Sequence, residues 1–273
     1  MLTFGQVGDN FSDGDFTNNP TWVGDVSEFE VNSTFQLHLN APATTNESYL
    51  SLPLSLAATS EWVFTVAMDF NPSGSNLFQF HLISDSSNLE SEHNGYFVQV
   101  GGTDDEVSLY RKDGATHTLI IDGIDERLDL DPVNVRVKVI RSSTGDWQLY
   151  STLDTDTFDF HEGSTTDATY VGLGNCGLLC DYTSTRSTLF QFDDFGYNSP
   201  PMITELEVLD ANTLVVIFNE SLETSSAALA SNYTVDSGIG VASSATLTST
   251  NSVELSFATA FSLATLYSLT VSN

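Results

Sequence analysis

Basic side chains are scarce in this sequence. Seven Lys and Arg stand against 37 Asp and Glu over 273 residues, a formal charge of −30. Nucleic-acid binding needs a basic footprint on the phosphates, and none is present. Anionic membrane surfaces are disfavoured for the same reason. Such acidity keeps a chain soluble and draws in cations, calcium above all, and adaptation to salty water would produce it equally. No run of 18 apolar residues occurs, so no segment reads as a membrane-spanning helix. Helical periodicity is missing too: before residue 200, no stretch of ten or more residues repeats its apolar positions every 3.6. Cysteine is confined to Cys176 and Cys180, beside Gly174 and Gly177. Two thiols with no histidine near in sequence are too few ligands for zinc. In an exported protein they read as a small disulfide loop, in a reducing compartment as two buried thiols. The disulfide is expected.

Aromatic residues are plentiful, with 18 Phe and 9 Tyr, and with Val and Thr they favour strands. Glu61–Phe70 places Trp62, Phe64, Val66, Met68 and Phe70 on one face, the strongest strand signal in the chain. Leu77–Ile83, Tyr96–Val100, Val107–Arg111, Thr118–Ile121 and Val133–Arg141 follow, separated by Gly, Asp and Asn turns. Asp154–Asp167 reads as acidic loop. Cys176–Tyr197 reads as a tight Gly/Cys turn, a polar arm and a strand in which Phe190 and Phe192 alternate with polar residues. At Asp193-Asp194 that alternation slips, the mark of a bulge. The pattern is all-β, a sandwich over 6–198 whose two ends reach the same edge, closed by a linker at 199–201 that contains Pro200 and Pro201. Residues 202–273 lack Lys, Arg, His, Trp and Cys. Their short strands suit a small immunoglobulin-like β-sandwich, and at about 70 residues against the usual ~100 it is expected to be incomplete. The first five residues, Met1–Gly5, read either as the remnant of a signal peptide or as an ordinary first strand.

FSDGDFTNNPTW (11–22), LISD (82–85), NGYFVQVGG (94–102), SLYRKDG (108–114), VRVKVIRSSTGDW (135–147) and CDYTSTRSTLFQFDDFGY (180–197) together resemble one family. It is the concanavalin A-like (laminin-G-like) jelly-roll module of large exported bacterial surface proteins. TLVVIFNESL, NYTV and YSLTVSN resemble the bacterial immunoglobulin-like domains that follow such modules. The resemblance implies an antiparallel jelly roll and an extracellular or cell-surface location reached through a signal peptide. It does not imply an activity, because this fold hosts lectins, glucanases and plain scaffolds.

Glucanases of the fold carry Glu-x-Asp-x-Glu on one strand, with the working carboxyls about 5–5.5 Å apart. Glu28-Phe29-Glu30, Asp104-Asp105-Glu106 and Asp129-Leu130-Asp131 have other residues or spacings, so no catalytic residue is expected. If the first and last strands pair, Asp13 and Asp15 approach Asp193 and Asp194, and four hard oxygen donors could hold a structural calcium; the alternative is that these acids cap turns. Asp122, Asp125, Glu126, Asp129 and Asp131 form a second acidic group, read as a solvated loop. Sugar binding would need an exposed ring. Trp22, Tyr49, Tyr96, Tyr110, Trp147 and Tyr182 are candidates, and Trp147 and Tyr182 are singled out as ligand-binding. Two functions remain: a non-catalytic module for adhesion or surface assembly, or a carbohydrate-binding module that targets an enzyme elsewhere in the polypeptide. The expected partners are glycans, other surface proteins or further copies of the chain.

Overall fold

A strand that alternates large apolar side chains with smaller or polar ones has one dry face. Ser60–Met68 is such a strand: Trp62, Phe64, Val66 and Met68 are fully buried and the residues between them half-exposed. The computed structural model describes residues 5–54, 56–156, 159–172, 174–201, 203–219 and 221–272. Of the segment Met1–Gly5, only Gly5 lies within the described residues. The chain divides into two compact units, Val7–Tyr197 and a second that groups the residues before Val7 with those after Tyr197.

Two antiparallel sheets enclose the core of the first unit. One runs in the order β13 (Phe160–Thr166), β12 (Asp146–Leu153), β11 (Val133–Arg141), β6 (Ser60–Met68), β15 (Phe190–Ser199), β4 (Leu37–Leu39) and β3 (Phe29–Val31), with β1 (Gly5–Asp9) also pairing β15. The other runs β10 (Thr116–Ile121), β9 (Val107–Gly114), β8 (His93–Val100), β7 (Leu77–Ser84), β14 (Asn175–Tyr182), β5 (Asn46–Pro53) and β2 (Val23–Gly24). Phe192 stands at the centre of the core. Its ring meets Phe78 at 5.8 Å, Phe80 at 5.7 Å, Phe64 at 6.0 Å, Phe11 at 6.1 Å and Trp22 at 6.1 Å. The slip at Asp193-Asp194 is a bulge, with Asp194 at φ +51°. The extra residue turns Phe195 and Tyr197 back into the core, where they pack on Trp22 at 5.4 Å and Trp62 at 5.6 Å.

The expected disulfide is corrected. Cys176 and Cys180 both lie in β14 as free, buried thiols among the core residues. Four residues of strand span roughly 13 Å at ~3.3 Å per residue, against the ~4.4–6.8 Å between Cα atoms that a disulfide bridges. Burial pushes both thiols well above the ordinary range. Gly177 makes no turn there. It lets the strands close up, since a Cβ would stand 2.3 Å from the Leu50 carbonyl oxygen.

The expected acidic loop 154–167 contains β13, an edge strand paired with β12. Its sequence, FHEGSTT, has no apolar alternation because the residue it buries is Glu162, held by Arg127 at 3.0 Å.

In the second unit, a four-stranded sheet runs β16 (Ile203–Val208), β17 (Thr213–Phe218), β21 (Ser252–Ser256) and β20 (Ser244–Ser249). A three-stranded sheet runs β19 (Gly240–Val241), β18 (Tyr233–Val235) and β22 (Leu269–Val271). The helical turn α1 (Thr224–Ala227) is capped by Glu223, whose carboxylate accepts from the Ser225 and Ser226 amides. Leu206 and Val208 on β16 stand opposite Val216 and Leu214, so they share the inward face. They are nevertheless 51% and 67% exposed, and with Phe261, Tyr267 and Leu269 they line an open apolar groove.

Candidate functional site

The seven-stranded sheet sends Phe78, Phe80, Val98, Leu109 and Leu178 into the core, so the residues between them face outward. The strand register lines these up in rows. One row runs Leu119, Tyr110, Phe97, His81, Gly177 and Ser51. The next runs Ser108, Gln99, Gln79, Leu179 and Tyr49. Tyr110 lies parallel on Phe97, with ring centroids 5.1 Å apart and planes at 7°, and Phe97 stacks on His81 at 5.2 Å. His117 meets Phe97 edge-on at 5.1 Å. His93 Nε2 lies 3.1 Å from His81 Nδ1. Phe97 and the two histidines are buried, so they form a rigid base beneath Tyr110, which is half-exposed. Beside it, Gln79, Gln99 and Tyr49 are half-exposed, supplying amide and phenol groups.

Burial shifts the titration of several groups on this face. The Asp181 carboxyl, opposite Glu47 in the register, is pushed up to about 6 by burial first and then by Glu47. Burial first, and then Asp25, Glu47 and Glu28, raises Glu90. His93 is lowered to about 4 by burial, and His81 lies well below the ordinary imidazole range for the same reason. At neutral pH both imidazoles are therefore uncharged.

Asp181 yields a pH prediction. Its proton is held more tightly in the folded chain, so its contribution to stability falls as pH rises from ~4 through 6 and is level above that. Asp181→Asn removes that slope and raises the neutral-pH melting temperature by ~2–4 °C, about 1 kcal/mol once solvent screening is allowed for. Thermal melts at pH 4, 6 and 8 check it, and an unchanged slope in the variant would refute the assignment.

At one end of the sandwich a second constellation joins the two sheets. The Asp167 carboxylate accepts from Tyr96 Oη at 2.6 Å and from Arg111 Nη1 at 2.5 Å, while its carbonyl accepts from Trp147 Nε1 at 2.9 Å. Arg111 Nε also donates to Asp113 at 2.9 Å, and Asp113 accepts from Tyr170 Oη at 2.6 Å. Asp85 accepts from the Asn94 side chain at 2.8 Å. Arg141, fully buried, donates to the carbonyls of Ala58 and Tyr170 at 3.0 and 3.1 Å.

The two rings singled out from sequence are corrected here. Trp147 is 0% exposed and stacks on Trp62, and Tyr182 is 0% exposed with its hydroxyl 2.7 Å from Ser48 Oγ. Neither can offer a ring to a ligand. Trp22 and Tyr96 are buried as well. Of the six candidate aromatics, Tyr49 and Tyr110 reach the outer face. Gln79 lies in no motif, Gln99 lies within NGYFVQVGG without being singled out there, and the register brings both to this face.

Of the four aspartates expected to share calcium, Asp13, Asp15 and Asp193 accept hydrogen bonds from backbone amides one or two residues on. Asp13 accepts from the Asp15 amide at 3.1 Å, Asp15 from the Thr17 amide at 2.8 Å, and Asp193 from the Asp194 amide at 2.8 Å. Asp9 accepts from Trp22 Nε1 at 2.9 Å, and burial first, then the charges of Asp194 and Asp9, raise the Asp193 carboxyl. Among the described residues, no group of three or more His, Cys, Asp or Glu is placed to hold a metal ion. These four residues therefore do not fit a calcium site.

The architecture is shared with solved structures. Against the Ca2+-bound exoplasmic/lumenal domain of VIP36 the TM-score is 0.53 at 10% identity, covering 73% of this chain and 91% of that one. Against the Ca2+/Man3GlcNAc-bound form of the same domain it is 0.52 at 10% identity, covering 73% and 90%. The fold is lectin-like. A carbohydrate-binding module, CBM66 from Bacillus subtilis, gives a TM-score of 0.46 at 12% identity, covering 65% of this chain and 95% of that one. No protein-family model and no curated protein matches the chain. Within the lectin-like sandwich, the outer face of the seven-stranded sheet is where a supported ring stands beside amide side chains.

Proposed function

We propose that the chain is a non-catalytic carbohydrate-binding module of an exported protein, and that it takes an uncharged glycan on the outer face of the seven-stranded sheet. The observation that carries this is Tyr110, held parallel on the buried Phe97 and flanked by Gln99, with Gln79 and Tyr49 in the adjoining row. A sugar presents one apolar face and a rim of hydroxyls. A fixed ring takes the first, and amide groups that both donate and accept take the second. Adhesion would then follow from glycan contact, and the location would be extracellular.

Binding of the whole chain to a panel of neutral and charged polysaccharides tests the reading. Saturable binding to a neutral glycan is expected, weakened about tenfold by Tyr110→Ala and by Gln99→Ala, which corresponds to ~1.4 kcal/mol each. Absence of binding across the panel, or binding that ignores both substitutions, would leave protein contacts as the basis of adhesion.

A further inference from the structure

The four-stranded sheet of the second unit ends on β20 at one side and on β16 at the other, and the two edges differ. On β20 the inward-facing Ala245 and Leu247 are half-buried against the core, with α1 packed beside the strand. On β16, whose one strand partner among the described residues is β17, the inward-facing Leu206 and Val208 stay exposed. The far wall of the groove they line is held in place. Phe261 meets Phe257 edge-on at 5.4 Å and Tyr267 at 5.3 Å, and Tyr267 Oη accepts from the Ser262 amide at 2.9 Å. β22, the end strand of the three-stranded sheet, contributes Leu269 to the lining. The groove is about 680 Å³ in volume, and the end strands of both sheets border it. An apolar trough beside a strand edge suits an added strand, which pairs its backbone with the edge and seats alternate side chains in the trough. Charge decides the kind of strand. Glu205 and Glu207 occupy the outward face of β16, Asp210 lines the groove, and residues 202–273 contain no Lys or Arg. A second copy of β16, paired edge to edge, would set its own glutamates against these, like charge on like. A strand with Lys or Arg at its outward positions would meet them with opposite charge.

We propose that the second unit binds an extended segment of another polypeptide, one in which apolar and basic residues alternate, as an added strand along β16. Its apolar side chains fill the groove beside Leu206 and Val208, and its Lys or Arg side chains lie next to Glu205 and Glu207 on the outward face. The added strand covers the apolar side chains that β16 leaves in water and extends the four-stranded sheet by one. No residue of the glycan face takes part.

The test is calorimetric titration of the whole chain with two synthetic peptides of identical composition, one alternating Val and Lys, the other with its valines and lysines in separate blocks. The alternating peptide is expected to bind saturably at one site, and the block peptide about tenfold more weakly or worse. Leu206→Ser/Val208→Ser weakens the alternating peptide by about tenfold or more. Both side chains are already exposed, so this variant melts with the parent chain by circular dichroism, which verifies that it folds. Glu205→Lys/Glu207→Lys exchanges the preference, towards a peptide that alternates Val and Glu. Equal binding of the alternating and block peptides would mean attraction to net charge alone and overturns the proposal, as does binding that ignores Leu206→Ser/Val208→Ser. Dimerisation of the chain that this double substitution abolishes would give the groove to a second copy, and overturns it too.

Discussion

Phe192→Ala lowers the melting temperature of the first unit by roughly 10 °C. The ring touches aromatic side chains from both sheets, so its removal leaves a cavity that no neighbour can fill without breaking another stack. Truncation of a core phenylalanine costs about 3–5 kcal/mol, and in a unit of this size each kcal/mol moves the midpoint by ~2–4 °C. Tryptophan fluorescence isolates the effect, because Trp22, Trp62 and Trp147 all lie in Val7–Tyr197 and the second unit has none. Phe192→Leu retains most of the volume and loses about half as much. A shift below ~3 °C for the alanine variant would mean that the core is not organised around this ring.

Acid weakens the same unit through Asp167. Its side chain is 10% exposed, and burial alone would raise its carboxyl. The hydrogen bonds from Tyr96 and Thr169 and the Arg111 guanidinium outweigh burial and hold it at about 2. A carboxyl depressed by folding binds its proton more weakly in the folded chain, so it adds stability at neutral pH that acid removes. Its contribution is complete above the unfolded value near 3.8 and disappears as pH falls through about 2. That window is worth about 2 kcal/mol. Asp167→Asn flattens the stability curve between pH 4 and 2, and it costs a similar amount at pH 7 because Arg111 keeps only Asp113 as a partner. Equilibrium urea unfolding across pH 2–7 would show it, and a variant with the parent's acid slope would exclude Asp167 as the titrating group.

The network around Asp167 also explains why some of the fold was legible in the sequence. LISD provides Asp85, NGYFVQVGG provides Asn94 and Tyr96, SLYRKDG provides Arg111 and Asp113, and VRVKVIRSSTGDW provides Arg141 and Trp147. Stretches read as separate motifs meet at one end of the sandwich, so their shared pattern marks a structural joint. The β6 alternation and the slip at Asp193-Asp194 were readable because each is a local geometry written in side-chain phase. Cys176 and Cys180 were misread because short spacing beside glycines suggests a turn, whereas Gly177 serves strand approach. Sequence alone says little about the depth of Trp147 and Tyr182 in a two-layer fold, and both rings lie in the core. The outer face was hidden for a similar reason: Tyr110, Gln99, Gln79 and Tyr49 come from four strands and become a surface only when the register is known.

The pairing of β1 with β15 has a further consequence. The first and last strands of the Val7–Tyr197 unit lie side by side, so close that a Cβ on Gly8 would stand 2.9 Å from the Phe195 carbonyl oxygen. The polypeptide thus arrives at and departs from this unit about one strand spacing apart, ~4.8 Å. Such a unit is portable: it can be spliced into a surface loop of another protein, or circularly permuted through a short Gly/Ser link, without rerouting the host chain or opening its own sheets. Gene rearrangement could shuffle it among unrelated polypeptides as a self-contained cassette, with the outer face of its seven-stranded sheet carried along intact.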